Sequence, residues 1–207
     1  MFLQSLASAF PPDAYSQADC LEIARQSPAV GRLKERSRNI LFKILAGDSG
    51  IEKRHFALGD PREMFTREAE RLNNDFEEEA PRLAGEALAK ALGVAELKAG
   101  EVDALFVCTC TGYLCPGVSS HVAEDLEMRN DIYLNDVVGL GCGATVPMLR
   151  AAQGFLAANP GATVATVAVE VCSAAFYLDD EPCVLVSLCL FGDGAAAAIW
   201  RGEGAEG

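Results

Sequence analysis

From residue 103 onward, short β-branched apolar runs alternate with stretches of helical period, and that alternation commits the chain to a layered α/β fold. Residues 104–108 predict a buried strand, 119–128 a helix, and 131–138 a second strand. A helix over 144–158 stops at Asn159-Pro160-Gly161, and 162–171 predicts a third strand. Residues 182–190 are apolar but of undecided type, and 195–200 predict a final strand. The first hundred residues read as helical. Ser16 and Asp19 have the spacing of a helix start ahead of 16–25, a second helix is expected over 33–45, and a third over 62–92 with a break at Pro81. Residues 1–200 have room for one large α/β domain or a domain and a half, with an N-terminal helical segment, and the glycine-rich 201–207 reads as a tail or linker.

Within that pattern one segment carries chemistry: Val137-Val138-Gly139-Leu140-Gly141-Cys142-Gly143-Ala144-Thr145. A strand that breaks at glycine, presents a cysteine and turns into a helix builds a thiolate nucleophile. Unpaired N–H groups and the partial positive charge at a helix start favour S⁻ over S–H. The small residues Gly141, Gly143 and Ala144 leave room for a substrate at the sulfur. The other reading is a small hydrophobe, the usual fate of a free cysteine. That second reading fits Cys20, Cys108, Cys172, Cys183 and Cys189, which lie in apolar or helical stretches.

No apolar run approaches the ~18 residues of a membrane helix. Residues 1–10 lack a basic start and run into Pro11-Pro12, so no secretory signal is expected, the eight cysteines are expected to be reduced, and the protein to be cytoplasmic. A net charge of −13 argues against nucleic-acid binding. Yet Arg32, Lys34, Arg36, Arg38, Lys43, Lys53 and Arg54 are opposed over that stretch only by Glu35, Asp48 and Glu52. This positive island is either a solvated helix face or a site for a small polyanion such as the phosphates of coenzyme A. Further on, Phe191-Gly192-Asp193-Gly194 followed by four alanines marks a tight turn entering a closely packed strand.

Taken with Glu170, these segments resemble the N-terminal half of a chalcone/stilbene-synthase-like type III polyketide synthase, a member of the thiolase superfamily. The resemblance also rests on Ser5-Leu6-Ala7, Pro11-Pro12, Tyr15-Ser16-Gln17, Gly50-Ile51-Glu52-Lys53-Arg54-His55, Cys110-Thr111-Gly112 and Pro116-Gly117, in that order. It implies one layered half of the thiolase αβαβα fold. It also implies an acyltransferase in which Cys142 takes an acyl group from acyl-CoA for decarboxylative Claisen condensation with malonyl-CoA. CoA thioesters would be substrates, with no tightly bound cofactor or metal. The resemblance assigns the acyl pocket to Thr111, Cys115, Glu170, Cys172, Ala175 and the bulky Phe191, and CoA phosphate contact to Lys43. In the family dimer the position of Cys115 reaches the neighbouring subunit's pocket, so a homodimer is implied.

The departures are equally specific. Thr145-Val146 stand where family members often carry two glycines, Pro147 falls inside the expected helix, and Cys172 and Ala175 replace threonines. The family's catalytic histidine, asparagine and Gly-Phe-Gly-Pro-Gly loop belong to a C-terminal half, and neither His55 nor His121 matches that histidine. Full activity is therefore expected to need a C-terminal-half partner. Two other readings stay open: half of a ketoacyl-ACP-synthase-III-like condensing enzyme, and a non-catalytic thiolase-fold partner subunit. A metal site at Cys108, Cys110 and Cys115 lacks a second pair to complete four ligands.

Overall fold

The computed structural model of the protein describes residues 1–63 and 65–202. These fall into two compact units: residues 1–10, 77–170 and 194 onward in one, and 11–76 with 171–193 in the other.

The first unit is built on a five-stranded mixed sheet in the order β1-β7-β6-β4-β5. Its strands are β1 (Phe2–Ala9), β4 (Ala104–Thr109), β5 (Tyr133–Val138), β6 (Thr163–Glu170) and β7 (Gly194–Arg201). Strand β4 pairs in parallel with both β5 and β6, while β7 runs antiparallel to β6 and to β1. Every residue of β4 is buried, as expected of a central strand covered on both faces. One cover is helix α6 (Thr145–Ala158). With Ala144 just ahead of it, Met148, Ala152 and Leu156 recur at intervals of four and pack with Ala104, Phe106, Cys108 and Val164. Helix α4 (Ala69–Val94) contributes Leu83, Ala84, Ala87, Leu88 and Ala91, all 0% exposed. Ser5 of β1 donates to the carbonyl of Ala91 at 2.7 Å. Short helix α5 (Val118–Asp125) is tied down at its start by Asp136 of β5, which accepts the Ser119 N–H at 3.1 Å and the Ser119 hydroxyl. A Cβ at Gly117 would lie 2.5 Å from an Asp136 oxygen, so a side chain there would have to displace the carboxylate that holds Ser119.

The second unit is mainly helical, with α1 (Gln17–Gln26), α2 (Pro28–Gly31), α3 (Glu35–Ala46) and α7 (Pro182–Leu190) beside a two-stranded ribbon of β2 (Ala14–Ser16) and β3 (Lys53–His55). Its core joins Cys20 and Ala24 of α1, Leu41 and Leu45 of α3, Phe56, and Leu185, Leu188 and Cys189 of α7. The start signal at Ser16 operates as a full capping box. Ser16 Oγ accepts the Asp19 N–H at 3.1 Å, and the Asp19 carboxylate accepts the Ser16 N–H at 2.8 Å.

Five expectations from sequence are corrected or settled. Residues 2–9 form a strand rather than helix or coil, because β7 offers its edge as a partner. Helix α4 runs through Pro81 without ending, since burial of one face outweighs the missing hydrogen bond. Pro147 is only the third residue of α6, where no N–H is needed, so it neither removes a helical bond nor kinks the helix. The undecided run at 182–190 is helix α7, opened by Pro182 at a position where proline is well tolerated. Of the tail expected at 201–207, Arg201 belongs to β7. From Glu203 on, that tail lies outside the described residues.

Candidate active site

Three parallel strands, β5, β4 and β6, end at the same edge of the sheet. The chain leaves β4 for β5 on one side and returns in β6 on the other, so β4 is a switch point. The crevice beyond such strand ends is where open α/β sheets hold ligands. Cys142 comes from the loop after β5. Gly139 and Gly141 there adopt positive φ, 78° and 61°, which side-chain-bearing residues rarely accept. The backbone then tightens into a 3₁₀ turn, Gly141–Ala144, that feeds α6. Cys142 thus stands one turn ahead of the α-helix rather than at its first residue, and it is exposed at the positive end of α6. At Gly143 nothing lies within 4 Å of where a Cβ would be, and φ is ordinary. The protein itself does not require glycine there, and the bare position leaves the sulfur approachable.

Glu170 ends β6. The register aligns Ala168 with Cys108, so Glu170 comes level with Cys110. Its carboxylate accepts the Cys110 N–H at 3.0 and 3.1 Å, the Thr111 hydroxyl at 2.8 Å and the Thr109 hydroxyl at 3.3 Å. The carboxylate therefore fastens the turn leaving β4. Burial, a hydrogen bond to Glu170, the charge of that carboxylate and the adjoining Cys142 sulfur together push the Cys110 thiol up to about 12. Cys110 thus adjoins Cys142, and sequence reasoning passed over it in favour of Thr111. The signal was available: Cys108 and Cys110, two apart, share one face of a strand. Cys108 Sγ lies 3.7 Å from Thr145 Oγ1, so that face is the one covered by the Cys142 turn and α6. Cys115, exposed, follows in the same loop, ahead of a cis bond to Pro116.

In the second unit Cys172 and Ala175 open and close a 3₁₀ turn, with Ser173 and Ala174 buried between them. Phe191, 44% exposed, is the C-cap of α7. Lys43 is exposed in the last turn of α3. The positive island shrinks in three dimensions: Arg54 is buried, and Lys34 pairs with Asp180 at 3.4 Å. Cys183, expected inside, is exposed at the start of α7, whereas Cys20, Cys108 and Cys189 are buried.

Burial raises the thiols of Cys20, Cys108 and Cys189, the last to about 11, which keeps their reactive thiolate scarce at neutral pH. Iodoacetamide at pH 7 is accordingly expected to alkylate Cys142 first, with Cys115 and Cys183 next, when labelled peptides are followed over time. Earlier modification of Cys20, Cys108, Cys110 or Cys189 contradicts the assignment of Cys142 as nucleophile.

The model of the FAE1/type III polyketide synthase-like family matches residues 7–205. The 1,3,6,8-tetrahydroxynaphthalene synthase of Streptomyces peucetius subsp. caesius is 31% identical over 195 residues, covering 94% of this chain and 51% of that enzyme. The crystal structure of the enzyme of that name from Streptomyces coelicolor A3(2) superimposes with a TM-score of 0.78 at 26% identity, over 99% of this chain and 57% of the other. PKS-I of the brown alga Ectocarpus siliculosus shares the fold, with a TM-score of 0.86 at 24% identity over 99% of this chain and 56% of its own. The chain spans about half the length of these relatives. A cysteine at the switch point of this sheet, in a chain matched almost from end to end, places the protein in the FAE1/type III polyketide synthase-like family.

Proposed function

We propose that this chain is the nucleophile-bearing half of a type III polyketide synthase. The Cys142 sulfur attacks the carbonyl carbon of an acyl-CoA thioester. A new S–C bond forms, the bond to the CoA sulfur breaks, and CoA leaves as the thiol with the proton that Cys142 gives up. Malonyl-CoA then loses CO₂, and its α-carbon attacks the cysteine-bound acyl carbonyl, lengthening the chain by two carbons and freeing Cys142. The observation that carries this reading is the exposed Cys142 on its glycine-flanked turn at the carboxyl ends of β4 and β5. Glu170 shapes the turn bearing Cys110 and Thr111. By family resemblance, Thr111, Cys115, Glu170, Cys172, Ala175 and Phe191 belong to the acyl pocket, and Lys43 meets CoA phosphate.

Condensation also needs donors for the thioester oxyanion and the enolate. Neither His55 nor His121 matches the family histidine: His55 Nδ1 is engaged with the Pro11 carbonyl at 2.7 Å, and His121 lies on α5. A C-terminal half would bring the missing groups. The first unit has apolar surface to offer such a half or a second copy, with Tyr133, Val138, Leu140 and Val146 between 37% and 58% exposed. The test is complementation. Malonyl-CoA decarboxylation and polyketide formation are measured for this chain alone, for a relative's C-terminal half alone, and for the two mixed. Lost oxyanion donors cost about 10²–10³ in rate, so the mixture is expected to exceed this chain alone by at least that factor. Efficient condensation by this chain alone, or none from a demonstrated complex, contradicts the proposal.

A further inference from the structure

Phe191 is a half-exposed aromatic whose flanking backbone is held by groups that are almost wholly buried. Ahead of it ends α7, whose last carbonyls have no partner within the helix. Arg54 of β3, only 6% exposed, supplies one. A single guanidinium nitrogen donates to the carbonyl of Leu188 at 2.7 Å and to that of Phe191 itself at 3.0 Å. The guanidinium also lies 5.1 Å from the centre of the Phe56 ring. Among the described residues no carboxylate forms an ion pair with Arg54, and its buried Nε has no hydrogen-bond partner. A buried cation without a counter-charge is a costly way to end a helix that a glycine or a surface lysine could end.

Behind Phe191 the chain is held as firmly. A Cβ at Gly192 would lie 3.2 Å from the His55 carbonyl and 3.3 Å from the Arg54 Cβ, so this backbone rests directly on β3. Asp193, 4% exposed, donates its N–H to the His55 carbonyl at 2.8 Å. Its carboxylate accepts the Ala57 N–H at 2.7 Å, the Ser173 N–H at 2.9 Å and the Ser173 hydroxyl at 2.5 Å. Ser173 lies in the turn that carries Cys172 and Ala175. Three positions that the family resemblance assigns to the acyl pocket are therefore joined into one hydrogen-bonded piece by residues with no pocket role of their own.

We propose that Arg54 and Asp193 are specificity-positioning residues: by fixing Phe191 relative to the Cys172–Ala175 turn, they set which acyl chain lengths are accepted. The proposal rests on reading Phe191 as an acyl-pocket residue. Arg54→Lys keeps the charge but loses the planar fork, and Asp193→Asn keeps the shape but loses the charge. Loading of this chain by straight-chain acyl-CoAs from two to twelve carbons is followed by intact-protein mass. In each variant the ratio of long- to short-chain loading rates is expected to shift by about fivefold or more, in the direction given by Phe191→Ala. Adding either change to Phe191→Ala should shift it no further. A common slowing at every chain length, or failure of both variants to fold, overturns the proposal in favour of plain support of the fold.

A second readout needs no turnover. 4-Fluorophenylalanine placed at position 191 is expected to give one narrow ¹⁹F resonance, displaced or broadened by Arg54→Lys and by Asp193→Asn while far-UV circular dichroism is unchanged. An unmoved resonance overturns the positioning role. If the unsubstituted chain accepts no acyl-CoA at all, the acyl reading and the selectivity claim fall together, while the ¹⁹F result still judges the clamp.

Discussion

Cys142→Ala is expected to abolish acyl transfer from acyl-CoA to the protein, cutting the rate of adduct formation by a factor on the order of 10³ or more. Six of the seven other thiols are poorly placed to take over. Cys20, Cys108 and Cys189 are buried with raised pKa values, and the Cys110 thiol is held up to about 12 beside Glu170. Cys115 and Cys183 are exposed, but neither stands on a glycine-flanked turn at the sheet's switch point. Intact mass and peptide mapping after incubation with acyl-CoA decide the matter. Undiminished adduct in Cys142→Ala would move the acyl site to another cysteine. Cys142→Ser keeps shape and loses nucleophilicity, so it separates chemistry from packing: it should fold as the unsubstituted chain does and load almost as poorly as the alanine variant.

Removing the Glu170 side chain is expected to wake Cys110. With its pKa held up to about 12, Cys110 is almost wholly protonated at pH 8. Burial is the largest cause, and it stays when Glu170 is replaced. The hydrogen bond from the thiol and the carboxylate's negative charge are the next causes, and both vanish in Glu170→Ala. The sign follows directly: losing an acceptor and a like charge favours S⁻, so the pKa falls, each unit making thiolate tenfold commoner. Alkylation of Cys110 at pH 8 should rise by about tenfold or more, and in Glu170→Gln, which keeps an acceptor without charge, by less. The same change removes the carboxylate's hydrogen bonds to the Cys110 N–H and the Thr111 hydroxyl, at a stability cost of about 2 kcal/mol readable by calorimetry. Unchanged Cys110 labelling in Glu170→Ala would mean that burial alone holds the proton.

The parts of the fold legible in sequence are those whose cause is local. Ser16 and Asp19 announce α1 because capping is a matter of three residues. Val137 through Thr145 reveal the strand, the glycine break and the helix around Cys142 because each preference acts over one turn. What stays hidden depends on distant partners. Nothing within Phe2–Ala9 favours a strand strongly; the free edge of β7 makes it one. Pro81 looks like a stop until Leu83, Ala84, Ala87 and Leu88 are seen to be wholly buried. Arg54 looks like part of a basic surface until it proves to be buried beneath α7. At the site, Cys142, Thr111 and Glu170 could be named in advance. The spacing of two from Cys108 hinted at Cys110, but its partnership with Glu170 emerged only with the register of β4 against β6, which no single segment encodes.

The pairing of β1 with β7 has a consequence for synthesis. Phe2 lies opposite Arg201, so β1 leaves the ribosome long before its partner β7. Until Gly194 and its followers emerge, the free edge of β6 and the whole of β1 have no ladder partner, although β4, β5 and β6 can already assemble. A nascent chain stalled before residue 194 would thus expose an open sheet edge rich in valine, the kind of template on which other chains aggregate. Contacts of such long sequence separation also form slowly, so chaperone dependence during translation should be concentrated in the interval before β7 appears.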